Sequence, residues 1–113
     1  MPHYKFMVLS NPSDPSREDE YNDWYQNQHL ADLCAIDGIT SARRFRFART
    51  LREGNRYGYM AIYDIETDDI DGVLAELGSA TGDGRVKMSD AIDTADTVAL
   101  VFEEFGPEVS AVS

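Results

Sequence analysis

The sequence predicts an α+β fold of ferredoxin-like topology, in which a four-stranded antiparallel sheet carries two helices on one face. Three observations predict this fold. Four segments are rich in apolar residues over strand-like lengths, and two other segments repeat apolar or aromatic residues at helical spacing. Their order along the chain is β-α-β-β-α-β, and polar stretches with Gly, Pro, Asn or Asp separate them. With 113 residues, we expect the chain (1–113) to form one domain.

The strands are predicted from the alternation of their side chains. In the first strand, Tyr4 and Phe6 point to one side, whereas Met7 and Leu9 point to the other. A polar turn over residues 49–55 predicts a hairpin between the second and third strands. The four predicted strands span residues 3–10, 39–48, 56–65 and 97–105.

The first helix, predicted over residues 16–34, is the element around which the chain is organised. Asp14 or Ser16 supplies a capping side chain at its start, and Gly38 follows its end. We expect the helix to be broken or loosened near His29. A helix built for burial alone would carry Leu and Ile on its inner stripe, but this stripe consists of Tyr21, Trp24, Tyr25 and Gln28.

The second helix is predicted after two aspartates at residues 68–69. The apolar residues that follow have helical spacing: Ile70, Val73, Leu74 and Leu77. Gly78 and the glycine-rich run 81–84 are predicted to end this helix. Residues 85–96 show no clear pattern, apart from a short helical turn predicted over residues 89–92.

The sheet is predicted to have one uncovered apolar face. Two helices can cover only one side, yet three of the four strands carry apolar side chains on both sides. A monomer that exposed such an apolar face to water would tend to aggregate. A second copy would bury it by isologous packing of sheet on sheet. We therefore expect a homodimer formed through the uncovered face, with residues 108–113 as a frayed tail or a short exchanged segment.

Charge and composition exclude several kinds of partner. The formal net charge of −11 disfavours binding to nucleic acid and to anionic membrane surfaces. No apolar run approaches the roughly 18 residues of a membrane-spanning helix, and the N-terminal residues do not lead us to expect a signal peptide. Cys34 is the one cysteine, which indicates a reducing, cytoplasmic location. Six of the ten basic residues lie between Arg43 and Arg56, where they suit an anionic small molecule or an internal salt-bridge network.

A set of short motifs in the first half of the chain carries a family resemblance. The motifs are the Asn11-Pro12 pair before an acidic helix, Asn22-Asp-Trp-Tyr25, His29-Leu-Ala-Asp32, Gly38 and Arg44-Phe45. Together they resemble the dimeric α+β barrel superfamily, and within it the EthD-like branch. The resemblance implies that the sheets of two subunits curl into a barrel, and that each subunit encloses a pocket between its sheet and helices. Relatives include isomerases, polyketide cyclases, cofactor-free monooxygenases and haem-binding degraders, so the resemblance implies architecture more than reaction.

The candidate catalytic residues are His29, Tyr25 and Asp32. An imidazole with an unperturbed pKa of about 6.5 exchanges a proton near neutral pH, and a carboxylate three residues away could orient it. Tyr25 lies one turn before His29 and could donate to a substrate carbonyl or enolate. Two alternatives remain open. His29 could be a hydrogen-bonded residue at a helix end that holds the loop to Asp37, and Tyr25 could pack in the core.

Five further residues are candidates for substrate binding: Trp24, Arg44, Tyr59, Tyr63 and Asn22. Core packing is the alternative for Trp24, and a solvated helix surface is the alternative for Asn22. Tyr57, Tyr59 and Tyr63 share one face of the third strand, where buried hydroxyls would need polar partners. A moist cavity supplies such partners, and a solvent-facing surface would do so equally well.

If side chains of the second strand alternate strictly, Arg44 and Arg46 lie on one face of the strand and Phe45 and Phe47 lie on the other. Ile39 then shares the face of the phenylalanines. If the phenylalanines face the helices, both guanidinium groups face the dimer cavity. One of them could then hold a carboxylate bidentately. The alternative is a salt bridge to one of the abundant acidic residues.

No metal, phosphate or cofactor site is predicted. Two histidines and one cysteine, without a ligand pair four residues apart, do not support a metal site. The loop after the first strand lacks the glycines that cradle a phosphate. Haem-binding relatives use a second mid-chain histidine, which this sequence lacks, so we expect no haem.

These residues and the resemblance predict a cofactor-free enzyme that acts on a hydrophobic carbonyl, enol or lactone compound. Proton transfer by His29 would drive isomerase, cyclase or lyase chemistry, in a catabolic setting. Two other functions stay open: a non-catalytic small-molecule-binding or accessory protein, and a cofactor-independent monooxygenase. A dimer whose packing leaves no cavity is a further, structural alternative.

Overall fold

The computed structural model describes residues 1–112 and confirms the predicted order of strands and helices. One antiparallel sheet has the strand order β2-β3-β1-β4 and comprises β1 (His3–Ser10), β2 (Ile39–Arg46), β3 (Tyr59–Glu66) and β4 (Val98–Glu103). The α-helices are α1 (Glu18–Trp24), α2 (Leu30–Cys34) and α3 (Ile70–Gly82). None of the helices within residues 1–112 is long and apolar enough to cross a membrane.

The predicted first helix is a single helical run with a π-helical centre. A 3₁₀ turn, Pro15–Arg17, leads into α1, and the π-helical segment Tyr25–His29 joins α1 to α2. Asp14 caps the start of the run by accepting hydrogen bonds from the amide and hydroxyl of Ser16. The loosening predicted near His29 is therefore a locally wider helical turn.

The core lies on one face of the sheet, beneath the helices. The strand residues that enter the core all point to this face: Phe6, Ile39, Ala61, Tyr63 and Ile65. The helical run and α3 supply the opposing side chains, among them Tyr21, Tyr25, Leu33, Val73 and Ala80. One buried polar pair joins the two layers, since the Ser10 hydroxyl lies 2.7 Å from the Tyr21 hydroxyl.

The opposite face of the sheet is apolar along its centre and contributes nothing to the core. Its apolar side chains are Met7, Leu9, Phe45, Met60, Ile62, Val98, Leu100 and Phe102. Leu100 is 43% exposed and Phe102 is 56% exposed. The structure therefore confirms the predicted uncovered apolar face.

A bulge in β2 changes which residues share a face. Between Ile39 and Ser41 the register with β3 shifts, so strict alternation fails at this point. Ile39 is thereby turned into the core, where it is 5% exposed, whereas Phe45 lies opposite Met60 on the uncovered face. The prediction that Ile39 and Phe45 share a face is wrong for this reason.

Several element ends also differ from the predictions. β2 ends earlier and β3 begins later than predicted, because residues 47–58 form a longer loop. β4 is shorter at both ends, and α3 continues through Gly78 to Gly82. The helical turn predicted over residues 89–92 lies slightly later, at Thr94–Asp96, where Asp93 caps it through the amide of Ala95.

Candidate active site

The π-helical segment brings the rings of Trp24, Tyr25 and His29 together. In an α-helix, residues five apart diverge by about 140°, but the wider π-turn places them one above the other. The ring centroids of Trp24 and His29 lie 4.5 Å apart with 32° between their planes. The Tyr25 ring meets the imidazole edge-on, at 5.1 Å and 89°. The helix distortion therefore builds an aromatic cluster around the histidine.

His29, Tyr25 and Tyr63 line one cavity of about 390 Å³ between the sheet and the helices. Cavities of this size hold small organic molecules. Most of the wall is apolar, with Phe6, Val8, Leu33, Leu77 and Ile92 among its residues. The structure thus unites three of the predicted site residues in a mainly hydrophobic cavity.

Sequence reasoning missed three threonines that also line this cavity: Thr81, Thr94 and Thr97. Thr81 belongs to the end of α3, and its hydroxyl donates to the carbonyl of Leu77. Thr94 lies in residues 85–96, which show no periodic pattern. The sequence therefore offered no basis for placing its side chain at the cavity. The clustering of Thr and Asp around residues 93–97 is the one local signal that could have drawn attention to this part of the wall.

Two polar atoms at this cavity are buried without a hydrogen-bond partner within residues 1–112. They are Nδ1 of His29 and Oη of Tyr63, and the Tyr63 residue is 0% exposed. The Tyr25 side chain is near enough to contribute to the raised pKa of Tyr63, but the two phenols do not meet hydrogen-bond geometry. A buried polar group without a partner costs about 1–3 kcal/mol, and native proteins leave few such groups. Both atoms have almost no accessible surface, so a ligand group that pairs with either one has to displace neighbouring side chains.

Burial controls the protonation of these groups. It lowers the pKa of His29 to about 4, and the smaller opposing effects of the Asp32 carboxylate and the Lys87 backbone do not restore the pKa. The expectation that His29 titrates near its unperturbed value is therefore wrong, and the imidazole is neutral at pH 7. Burial also raises the pKa of Tyr25 to about 12 and raises that of Tyr63. His29 is thus available as a base, and both phenols remain proton donors.

The lowered pKa of His29 predicts a loss of stability in mild acid. Above pH 6.5 the imidazole is neutral in both states, but below it the unfolded chain binds a proton that the folded chain excludes. The free energy of unfolding should fall by about 2–3 kcal/mol from this group as the pH drops from 6.5 to 4. Urea unfolding across this range measures the loss. His29→Gln should remove that part of the slope, and an unchanged slope would contradict the assignment.

Asp32 and Trp24 form their side-chain hydrogen bonds with the backbone of Lys87, and neither forms one with the imidazole. The Asp32 carboxylate accepts hydrogen bonds from the Lys87 amide at 2.9 Å and from Gln28 Nε2 at 2.9 and 3.0 Å. Trp24 Nε1 donates to the Lys87 carbonyl at 2.9 Å. The expected hydrogen bond between Asp32 and His29 is not formed, because these partners occupy the carboxylate. Both side chains instead fix the segment that carries Met88, which lines the cavity.

Asn22, Arg44 and Tyr59 form a separate group beside a smaller cavity of about 220 Å³. Arg44 Nη2 donates to Asn22 Oδ1 at 2.7 Å, and Asn22 Nδ2 donates to the Tyr59 hydroxyl at 3.1 Å. The Tyr59 hydroxyl donates in turn to the Glu18 carboxylate at 2.5 Å. Of the predicted substrate-binding residues, Tyr63 therefore lines the larger cavity, the group of three lines the smaller one, and Trp24 lines neither. Tyr57 lies before β3, where its hydroxyl donates to Asp96 at 2.8 Å.

Arg44 and Arg46 lie on the helix-covered face of the sheet. Arg44 is opposite Ala61, whose small side chain leaves room for the guanidinium beneath the tyrosines of the helical run. The condition under which both guanidinium groups would face a dimer cavity is not met, because Phe45 lies on the uncovered face. The alternative expectation is not met either, since neither arginine forms a salt bridge within the part of the chain that the structure describes.

The fold matches several solved structures, although no protein-family model and no curated protein matches the chain. An EthD family protein from Bacillus halodurans C-125 is 15% identical, with 93% of this chain and 100% of that chain covered and a TM-score of 0.64. A DABB family protein with a ferredoxin-like fold from Mesorhizobium loti is 11% identical, with 94% and 100% covered and a TM-score of 0.66. A dimeric ferredoxin-like protein of unknown function from Thermobifida fusca is 18% identical, with 89% and 90% covered and a TM-score of 0.57.

These comparisons define the class of protein by fold. The chain has the ferredoxin-like fold seen in EthD-type, DABB-type and dimeric ferredoxin-like proteins, so the predicted resemblance is confirmed at the level of the fold. At these identities the likeness concerns architecture, and the activity has to be argued from the residues of the site.

Proposed function

We propose that the protein is a cofactor-free enzyme that uses His29 to move a proton on a hydrophobic compound bearing a carbonyl, enol or lactone. One observation carries the proposal: Nδ1 of His29 and Oη of Tyr63 are buried, unpaired within residues 1–112, and adjacent to the same mainly apolar cavity. The apolar wall suits the body of such a compound, the Tyr63 hydroxyl suits its oxygen function, and the unpaired imidazole nitrogen suits proton abstraction beside it.

The protonation states fit a base-first reaction. Neutral His29 accepts a proton from the carbon next to the carbonyl, the C–H electron pair moves into the new C=C bond, and the carbonyl oxygen becomes an enolate. Tyr63 and Tyr25, which keep their protons, donate to that oxygen. The enolate charge also stabilises the imidazolium formed beside it in a site that otherwise disfavours it. Return of the proton to another carbon of the enolate gives isomerisation. Attack of the enolate carbon on an electrophilic carbon of the same molecule gives cyclisation, and expulsion of a leaving group from the enolate gives lyase chemistry.

Deuterium exchange tests this proposal without knowledge of the natural substrate. The probe is 2-tetralone, a hydrophobic ketone with acidic hydrogens beside its carbonyl, incubated with the protein in D₂O and followed by proton NMR. We expect exchange faster than in buffer and saturable in 2-tetralone. Saturable binding without faster exchange would favour a non-catalytic carrier. Neither binding nor exchange, for 2-tetralone and for a lactone of similar size, would contradict the proposal.

Tyr63→Phe is predicted to separate activity from stability. The variant removes a hydroxyl that is buried without a partner, so the free energy of unfolding should stay the same or rise by about 1 kcal/mol. Loss of the oxyanion donor should lower the exchange rate by about 10–100-fold. The matched control is Tyr21→Phe, which removes a buried hydroxyl paired with Ser10 and should destabilise by about 1 kcal/mol. Destabilisation of Tyr63→Phe to the same extent would indicate a structural role.

We also propose that the functional unit is a homodimer whose uncovered sheet faces meet and close a barrel. The supporting observations are the apolar strip on that face, with Leu100 and Phe102 largely exposed, and the likeness in fold to a protein described as dimeric. Isologous packing of two such strips would remove both from water at once. The His29 cavity lies on the other side of the sheet, so each subunit would keep its own.

A further inference from the structure

We propose that the smaller cavity between α1 and β2 is a binding site for the carboxylate of a small aromatic acid, with Arg44 as its anchor. Asn22, Arg44, Phe45, Arg46 and Tyr59 line this cavity, whose volume is about 220 Å³. The site is distinct from the cavity at His29, and it does not depend on the proposed proton transfer.

Arg44 carries a partly buried charge that no carboxylate of the protein neutralises. Its Nε atom is buried without a hydrogen-bond partner within residues 1–112. Its two hydrogen bonds go to neutral oxygens of Asn22, at 2.7 Å to the side chain and 3.5 Å to the backbone. Charges removed from water are normally paired with an opposite charge. An anion is therefore the expected missing partner of this guanidinium.

Among the cations that form no ion pair within residues 1–112, Arg44 alone is half-buried, whereas the others are exposed: Arg43, Arg46, Arg49, Arg52 and Lys87. The chain has 21 acidic residues for 10 basic ones, and cations elsewhere on it form ion pairs, among them Lys5, Arg17, Arg56 and Arg85. Arg44 and Arg46 form none within residues 1–112. The Glu18 carboxylate reaches the same group of side chains but accepts from the Tyr59 hydroxyl. Arg44 is thus a half-buried cation without a counter-ion in a strongly acidic protein, whereas Arg46 is exposed to water.

The surroundings of Arg44 indicate which anion would fit. Its guanidinium carbon lies 4.6, 5.2 and 5.4 Å from the ring centroids of Tyr25, Tyr59 and Tyr21. These rings fix the plane of the guanidinium, and a fixed fork favours bidentate contact with a planar carboxylate. Tyr59, on the same sheet face as Arg44, offers apolar surface for a ring attached to that carboxylate. The rival interpretation is that the three rings alone stabilise the cation, without any ligand.

The proposal of a carboxylate site at Arg44 and the proposal of an active site at His29 can be refuted independently. Tyr25 lies between them, with its edge toward His29 and its face under Arg44. Benzoate binding at Arg44 requires no proton transfer, and exchange of 2-tetralone requires no anion. A negative result in one experiment therefore leaves the other proposal standing.

The test is a titration of the whole protein with benzoate at pH 7, with benzamide as a neutral probe of the same shape and inorganic phosphate as a different anion. NMR shifts of the Asn22 side-chain amide report occupancy. We expect benzoate to bind in the millimolar range and benzamide about tenfold more weakly or not at all. Equal binding of benzoate and benzamide would overturn the proposal, and tighter binding of phosphate than of benzoate would overturn the carboxylate assignment.

Charge-matched variants locate the site. Arg44→Gln should weaken benzoate binding by about tenfold or more, and Arg44→Lys should restore only part of the loss because it lacks the planar fork. Arg52→Gln, an exposed loop residue without an ion pair in the described chain, removes the same charge elsewhere and should change affinity less than twofold. Equal weakening by Arg44→Gln and Arg52→Gln would overturn the site. If Arg44→Gln does not fold, Arg46→Gln and the benzamide comparison test the site instead. Weaker benzoate binding by Arg46→Gln than by Arg52→Gln, together with preference for benzoate over benzamide, would support the site, and the absence of both effects would overturn it.

Discussion

Replacing His29 by glutamine is expected to lower the rate of deuterium exchange into 2-tetralone by about 10²–10⁴-fold. Glutamine keeps a polar side chain of similar length, but it cannot accept a proton at neutral pH. Because burial holds the imidazole neutral, the wild-type base is already in its active form at pH 7. The exchange rate measured by proton NMR should therefore be flat above pH 6.5 and should not rise with further deprotonation.

The control for this prediction is the other histidine. His3 is exposed at the start of β1 and pairs with Glu66 at 3.2 Å, far from the cavity lining. His3→Gln should retain the wild-type exchange rate. Urea unfolding of both variants shows whether each remains folded. Exchange by folded His29→Gln at the wild-type rate would contradict the assignment of His29 as the base.

Leu100→Glu is expected to convert the proposed dimer into a monomer. Leu100 lies opposite Met7 on the uncovered sheet face and is 43% exposed in the single chain. In an isologous interface the variant would bury two unpaired carboxylates, one from each subunit, and an unpaired buried charge costs several kcal/mol. Sedimentation velocity should show a dimer for the wild type and a monomer for the variant at the same concentration.

A second leucine provides the matched control. Leu51 is 94% exposed in the loop between β2 and β3, so Leu51→Glu makes the same chemical change away from the sheet. This variant should remain dimeric. A monomeric wild type, or a Leu100→Glu protein that sediments as a dimer, would contradict the proposed interface.

The sequence was sufficient to predict the topology because each element has its own local signal. Alternating apolar residues in β1, helical spacing after residues 68–69 and polar turns fix the order of elements. The two-sided apolar character of the strands likewise predicted the uncovered face. The aromatic stripe of the first helix also led to His29 and Tyr25, since Tyr, Trp and His at core positions are unusual for packing alone.

Features that depend on contacts between distant segments could not be predicted. The bulge near Ile39 follows from pairing with β3, and it decides which face Arg44 occupies. The partners of Asp32 lie at Lys87, in a segment without periodicity. The pKa of His29 is lowered because side chains of both the sheet and the helices bury the imidazole. The residues next to His29 in the sequence do not show this burial, so sequence reasoning assumed the unperturbed pKa.

The most direct test of the central claim is a crystal structure of the protein with 2-naphthol, a stable aromatic counterpart of an enol. The proposal predicts 2-naphthol in the cavity between the sheet and the helices, with its oxygen within hydrogen-bond distance of His29 Nδ1 or Tyr63 Oη. Density for 2-naphthol elsewhere, with side chains filling the cavity and both atoms paired within the protein, would contradict it.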